Sequence, residues 1–307
     1  MHQPTESVSA RFRIPLIAAP MTGVSGFDLA AAAAMSGIGA SFPVHNAASS
    51  AELDRWLDAL CREPGLILPN LVVPRSNARL DDDLAVIIKY PVPAVITSVG
   101  SPAHVVGPLH DAGIQVWSDV ASMRHVERAI AAGVAGLILL TAGAGGQTGW
   151  ANPFVFVRAV REIWSGPLIL AGGITDGVGM LAALVAGFDL VYMGTPFIAT
   201  VESMAHQSYK QAVVNSSMDD IELTSELTGL PTSMIRAASK SGTSTAAGEF
   251  NATEIGGDEQ QAQSVEAQMF SAGHGVSGVN EIVAVADLID RIEREFKAAN
   301  SRILGQR

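Results

Sequence analysis

Short β-branched and apolar runs recur along the chain about every two dozen residues, each followed by an alanine-rich stretch of helical periodicity, as parallel βα units require. The runs are Leu16 to Ala19, Ile38 to Phe42, Leu66 to Pro69, Ala94 to Ser98, Gln115 to Ser118, Gly136 to Leu140, Leu168 to Ala171 and Leu190 to Met193. Between and after them the pattern predicts helices over Asp28 to Met35, Ser50 to Leu60, Asp81 to Ile88, Pro102 to Asp111, Ser122 to Ala132, Pro153 to Trp164, Gly177 to Ala186 and Ile198 to Val214. Pro102 and Pro153 fall in a first helical turn, where the N–H that proline lacks has no intrahelical partner.

Eight such units within about 200 residues point to a (β/α)8 TIM barrel rather than an open doubly wound sheet. The pattern then changes. Met218 to Phe270 is polar, rich in Ser, Thr, Gln and Glu, and broken by Gly229-Leu230-Pro231 and Gly256-Gly257. A small, mainly helical, lid-like insertion over residues 216–270 is expected, with residues 1–215 and 271–307 forming the barrel. A second glycine-rich loop, Ser271 to Gly278, leads to a terminal amphipathic helix over Asn280 to Ala299, whose Ile282, Val285, Leu288, Ile289 and Ile292 share helical spacing.

Composition narrows the partners. With 48% apolar residues, 307 residues can fill a sizeable core. The net charge of -11, with Lys and Arg dispersed singly, offers no footprint for a nucleic acid or an anionic bilayer. The sole cysteine, Cys61, excludes an intrachain disulfide and a thiolate cluster, and is read as a buried bystander. The amino terminus lacks the pattern of a secretory signal and no apolar run approaches the ~20 residues of a membrane span, so a cytoplasmic protein acting on a small molecule is expected, with a homo-oligomer left open.

In a (β/α)8 barrel, chemistry belongs to the loops after the carboxyl ends of the strands. The loop after the sixth strand, TAGAGGQTGW from Thr141 to Trp150, has four glycines within seven positions. Backbone this bare admits a flat or phosphorylated ligand close to the main chain. Its only long polar side chain is Gln147. Strands seven and eight end in Ala171-Gly172-Gly173-Ile174 and Met193-Gly194-Thr195-Pro196, two glycine-bearing helix starts suited to a phosphate or, more plainly, to tight turns.

PLIAAPMTGVSG near the start, PNL after strand three, VITSVGSP after strand four, AGAGGQTG, AGGI and MGT together resemble the nitronate monooxygenase family, also called 2-nitropropane dioxygenases. The resemblance runs from about Pro15 to Thr195 and resumes at Ser271. It implies an FMN-dependent barrel with a small second domain. It also implies that Ala19, Pro20 and Met21 lie along the isoalloxazine, that Asn70 hydrogen-bonds its edge, that Gly145 and Gly146 pass beside it, and that Gly172, Gly173, Gly194 and Thr195 hold the phosphate. The implied reaction oxidises alkyl nitronates with O2 to a carbonyl compound and nitrite.

Two residues depart from the family pattern. Gln147 stands where most relatives carry a histidine; it cannot take up a proton near neutral pH, although it donates and accepts hydrogen bonds. A nitronate is already an anion, so its oxidation survives the change, whereas deprotonation of a neutral nitroalkane by this residue does not. Asp119 stands where relatives often carry a basic residue facing the flavin; it either opposes negative charge there or caps the helix beginning near Ser122.

His45, after strand two, and His274, in SAGHGVSG, are the candidate alternative bases, or else ordinary loop and cofactor contacts. His104, His110, His125 and His206 fall in helical stretches and read as surface residues. Asp81-Asp82-Asp83 opens a helix and reads as a dipole-complementing run rather than a metal site. Trp150 and Phe154 are candidates for an aromatic wall over the substrate or for packing at the next helix. No GxGxxG opens a helix after a strand, so any NAD(P)H would dock onto the flavin. The alternative activity is then an FMN-dependent NAD(P)H reductase of a quinone or an enoyl thioester carried on CoA or acyl-carrier protein. A phosphate-binding barrel without flavin is the third.

Overall fold

A computed structural model of the chain describes residues 12–226, 229–236 and 270–305. The eight apolar runs all become strands: β1 (Leu16–Ala18), β2 (Gly39–Pro43), β3 (Leu66–Val72), β4 (Ala94–Ser98), β5 (Gln115–Val120) and β6 (Gly136–Leu140), then, after a two-residue strand β7 (Gly146–Gln147), β8 (Leu168–Ala171) and β9 (Leu190–Met193). All but β7 pair in parallel and in chain order, and β9 returns to β1 through Leu16↔Val191, Ile17↔Tyr192 and Ala18↔Met193, which closes the barrel. This is the (β/α)8 TIM barrel expected from the pattern.

Strand periodicity then sorts side chains between two cores. Ile17, Leu68, Ile96, Trp117, Ile138, Ile169, Leu190 and Tyr192 fill the barrel interior, while Leu16, Val116, Val120, Leu137, Leu139, Val191 and Met193 pack outward under the helices. In β5, Asp119 has the parity of Trp117 and so belongs to the interior side.

The helices are α1 (Phe27–Met35), α2 (Ser50–Leu60), α3 (Leu80–Ile87), α4 (Ala103–Asp111), α5 (Met123–Ala131), α6 (Pro153–Arg161), α7 (Gly177–Ala186), α8 (Thr195–Ile198), α9 (Gln207–Asn215) and α10 (Val285–Leu304). Local chemistry sets their starts. Ser122 accepts from the His125 N–H at α5, Asn152 from the Phe154 N–H at α6 with Pro153 next to it, and Asp176 from the Gly179 N–H at α7.

Two helical expectations are corrected by one contact. Instead of a helix over Ile198 to Val214, the chain leaves α8, bridges Thr200 to Val283, and resumes helix only at Gln207. Thr200 Oγ1 donates to the Phe197 carbonyl at 2.8 Å and Val201 N–H to the Val283 carbonyl at 2.9 Å, so side chain and backbone both find partners outside a continuing helix. Held extended by that bridge, residues before Val285 cannot join α10, which starts five residues later than the pattern suggested and runs on to Leu304. It is α10, packed on α7 and α1, that completes the ring of helices. At Gly177 a Cβ would lie 2.2 Å from the Ile292 carbonyl oxygen, so only glycine allows α7 this close to α10.

Within the segment expected to be mainly helical, the described residues form a 3-10 turn (Met218–Asp220) and two strands, β10 (Ile221–Thr224) and β11 (Thr232–Ile235). The rest of that expectation, residues 227–228 and 237–269, lies outside the described residues. The two strands join β7 in an antiparallel sheet of order β10-β11-β7, with Thr232↔Gln147 and Ser233↔Gly146 in register.

Candidate active site

A cavity of about 970 Å³ lies over the carboxyl ends of the barrel strands, a size suited to a cofactor and a substrate together. Its wall is built from successive loops, and each loop is fixed by a few named hydrogen bonds.

After β1, Ser25 Oγ donates to the Ala19 carbonyl (2.8 Å) and accepts from the Met21 N–H (3.1 Å). Asn46 clamps the same loop: its amide donates to the Met21 and Ser25 carbonyls, both at 2.9 Å, and its oxygen accepts from the Gly23 N–H. Ala19, Pro20 and Met21 are thereby presented to the cavity on a rigid turn. His45, beside Asn46, also lines the cavity, with Nε2 3.0 Å from Thr22 Oγ1. Burial lowers its pKa, helped by the Arg79 charge and opposed by Asp83. A neutral imidazole follows. Asp83 itself is buried, pairs with Arg79 at 3.0 Å and accepts from Ser50 Oγ at 2.6 Å, so the acidic run does more than complement the helix dipole.

Asn70, 4% exposed, stands at the end of β3 with its amide donating to Ser98 Oγ (3.1 Å) and more weakly to the Ile96 carbonyl (3.3 Å). Asp119 lines the cavity from β5, and Oδ1 is buried without a hydrogen-bond partner. Ser122, not Asp119, caps α5, which removes the capping alternative. Desolvation pushes the Asp119 carboxyl up to about 7.

The glycine loop crosses the cavity. Thr148 Oγ1 donates back to the Thr141 carbonyl at 2.8 Å, and the Thr148 N–H donates to the Pro231 carbonyl at 3.1 Å. A Cβ on Gly145 would stand 2.7 Å from the Gly273 nitrogen, so this loop and SAGHGVSG touch main chain to main chain. Gln147 is exposed and lines the cavity, held in β7 by its pairing to β11. Trp150, 82% exposed, stands at the rim, whereas Phe154 is exposed outside the lining. Gly172, Gly173, Gly194 and Thr195 line the cavity from β8 and β9. At Gly173, φ is +70° and nothing lies within 4 Å of where a Cβ would be. Thr195 Oγ1 accepts from the Gly273 N–H at 3.1 Å.

One cavity thus gathers every candidate catalytic and cofactor-contacting residue read from sequence except His274, which is exposed at the start of a 3-10 turn outside the lining, its N–H donating to the Gly143 carbonyl. Sequence reasoning missed Tyr192, inward-facing in β9, and the helical residues His125 and Arg128, which line the cavity from α5. Strand parity turns the tyrosine inward without saying that it reaches this cavity. The other two stand a few residues past the fifth strand, which places them near its carboxyl end but does not by itself turn them to the cavity. Cys61 is half-buried on the outer layer, its thiol raised to about 11 by burial, and is no nucleophile. Among the described residues no cluster suits a metal ion, and no helix is long and apolar enough to cross a membrane.

A closed parallel barrel with one large cavity at the carboxyl ends of its strands is the plan of a barrel enzyme. The family model for nitronate monooxygenase matches residues 44–295, and the chain belongs to that family, whose members are flavoproteins. It is 27% identical over 224 residues to a nitronate monooxygenase of Paraburkholderia phytofirmans, covering 67% of this chain and 61% of the relative. It is 33% identical over 194 residues to a probable nitronate monooxygenase of Staphylococcus saprophyticus, covering 58% and 54%. A Mycobacterium tuberculosis (3aS,4S,5R,7aS)-5-hydroxy-7a-methyl-1-oxo-octahydro-1H-indene-4-carboxyl-CoA dehydrogenase is 27% identical over 158 residues, or 50% and 44%. The alignments span less than two thirds of each of these relatives. Among solved structures, FabK from Thermotoga maritima superposes with a TM-score of 0.81 at 26% identity, covering 98% of both chains. Nitroalkane oxidase from Streptomyces ansochromogenes gives 0.80 at 21% identity, over 96% of this chain and 99% of that one, and shares the fold.

Proposed function

We propose that this protein is an FMN-dependent monooxygenase that oxidises alkyl nitronates with O2. The observation that carries the reading is Gln147: it is the long polar side chain of the glycine loop, faces the cavity, and cannot take a proton. A substrate that arrives as an anion needs no base, and a nitronate is such a substrate.

The residues fit a flavin mononucleotide. The cavity is large enough, the open space at Gly173 beside Gly172, Gly194 and Thr195 suits a phosphate among bare amides, and the rigid Ala19-Pro20-Met21 turn offers a flat wall for a ring. Asn70 would turn its amide from Ser98 to the edge of that ring. Bound FMN would supply the electron acceptor and the means of reacting with O2. The chain's own part is to orient and exclude: Gln147 hydrogen-bonds the nitronate oxygens, His45 stays neutral at the mouth, and Leu223, Leu230 and Pro231 cover the cavity from the small sheet.

A second reading is an FMN-dependent NAD(P)H reductase of an enoyl thioester or a quinone. FabK, an enoyl-acyl-carrier-protein reductase, matches along the whole chain, and the CoA dehydrogenase relative acts on a thioester as well. The cavity also extends past Val99 and Ser101 to His125 and Arg128, farther than a small nitronate requires. Anaerobic mixing separates the two. The FMN-loaded protein is expected to bleach on adding propyl-2-nitronate; bleaching by NAD(P)H with no response to nitronate would overturn the first reading in favour of the second.

A further inference from the structure

Two polar atoms on the inner wall of the cavity end without a hydrogen-bond partner in the described structure: Asp119 Oδ1 from β5 and Tyr192 Oη from β9. Ser41, the polar neighbour that eases ionisation of Tyr192, already donates to the Leu68 carbonyl at 2.6 Å. Buried polar groups are rarely left unpaired, because each forfeits its hydration, and two facing one cavity imply a ligand that pairs with them.

The surroundings decide the protonation state. β4 and β6, the strands on either side of β5, bring no titratable group. Tyr192 across the barrel is a neutral phenol, its pKa pushed far up by burial and by Asp119. His125 and Arg128 line the cavity from α5 and His45 from beyond β2, but no neighbouring charge offsets the desolvation of Asp119, which is the cause of its raised pKa. An unpaired carboxylate in this position would also face the negative charge of a reduced flavin.

We propose that Asp119 acts as a neutral carboxylic acid, donating its O–H to a carbonyl or ring-nitrogen acceptor of the bound flavin, with the Tyr192 hydroxyl as a second donor. This rests on the FMN reading of the cavity. Asp119 is then a cofactor-binding residue that sets the charge the flavin carries, and binding draws a proton into the barrel whenever Asp119 would otherwise be ionised.

The test is FMN binding to the apoprotein, followed by flavin fluorescence from pH 5.5 to 9, in wild type, Asp119→Asn and Tyr192→Phe. Because wild type and Asp119→Asn share the same phosphate contacts, the ratio of their affinities cancels titration of the FMN phosphate. Wild-type affinity relative to Asp119→Asn is expected to fall about tenfold per pH unit above the point where Asp119 ionises, since only the protonated form binds. Tyr192→Phe should bind several-fold more weakly at every pH with the slope kept. A flat ratio, or one that rises with pH, overturns the proposal. If Asp119→Asn does not fold, calorimetry of the wild type at pH 8 in buffers of different ionisation enthalpy replaces it: uptake of close to one proton supports the proposal and zero overturns it. Absence of FMN binding at every pH removes the flavin reading itself, and the proposal with it.

Discussion

In the proposed reaction, Gln147 is the side chain that limits the chemistry while leaving the scaffold intact. Glutamine and histidine have similar reach, and both hydrogen-bond, but only histidine titrates near neutrality. Gln147→His is therefore expected to raise turnover of neutral nitroalkanes by about a hundredfold, the lower end of general-base catalysis, while changing nitronate turnover much less. Steady-state rates on nitropropane and its nitronate check this, and equal effects on both would detach Gln147 from proton transfer. This residue was legible in sequence because it is the long polar side chain of a glycine loop at a strand end. Asp119 was only half legible: its place after the fifth strand was plain, but capping and cavity-facing roles looked alike until Ser122 took the cap and strand parity turned the carboxylate inward. Asn46, which holds the β1 loop through three hydrogen bonds, gave no sign along the chain, since its partners are more than twenty residues away.

Among the elements, the small sheet matters most for the chemistry. β7 is two residues long and would not persist alone; its pairing with β11 fixes the backbone at Gly146 and Gln147 and ties the glycine loop to the segment after β9. Ser233→Pro removes the N–H that β11 directs toward β7 opposite Gly146 and is expected to loosen Gln147 without touching the β8 and β9 glycines. The turnover number should fall by about tenfold or more while FMN affinity changes within a few-fold, given the cost of a misplaced catalytic group; stopped-flow reduction and flavin titration measure the two separately. An equal loss in both would mean that the sheet supports the cofactor rather than the substrate side. The strands and first seven helices were readable from periodicity to within a few residues. The break between α8 and α9 and the late start of α10 were not, because both follow from the long-range bridge between Thr200 and Val283.

For the molecule as a whole, the cavity implies that stability and cofactor binding are linked, because a ligand held by the folded barrel alone stabilises it by mass action. FMN at a hundredfold excess over its dissociation constant should add about 2.7 kcal/mol, raising the melting temperature by several degrees. Riboflavin at the same concentration should raise it less, since it lacks the phosphate assigned to Gly172, Gly173, Gly194 and Thr195. Equal shifts in differential scanning fluorimetry would refute that assignment. The order of strands and helices, the closed barrel and the identity of the glycine loops were written in local patterns of apolar, alanine-rich and glycine-rich residues, because strand and helix periodicities and turn preferences act over a few neighbours. What the tertiary structure alone decided was which side chains share the cavity: it brought in Tyr192, His125 and Arg128, left His274 outside, and set Asp119 unpaired against the site. Closing a barrel joins residues from opposite ends of the chain and strips water from a few of them, and neither the meeting nor the desolvation is encoded in any local run of sequence.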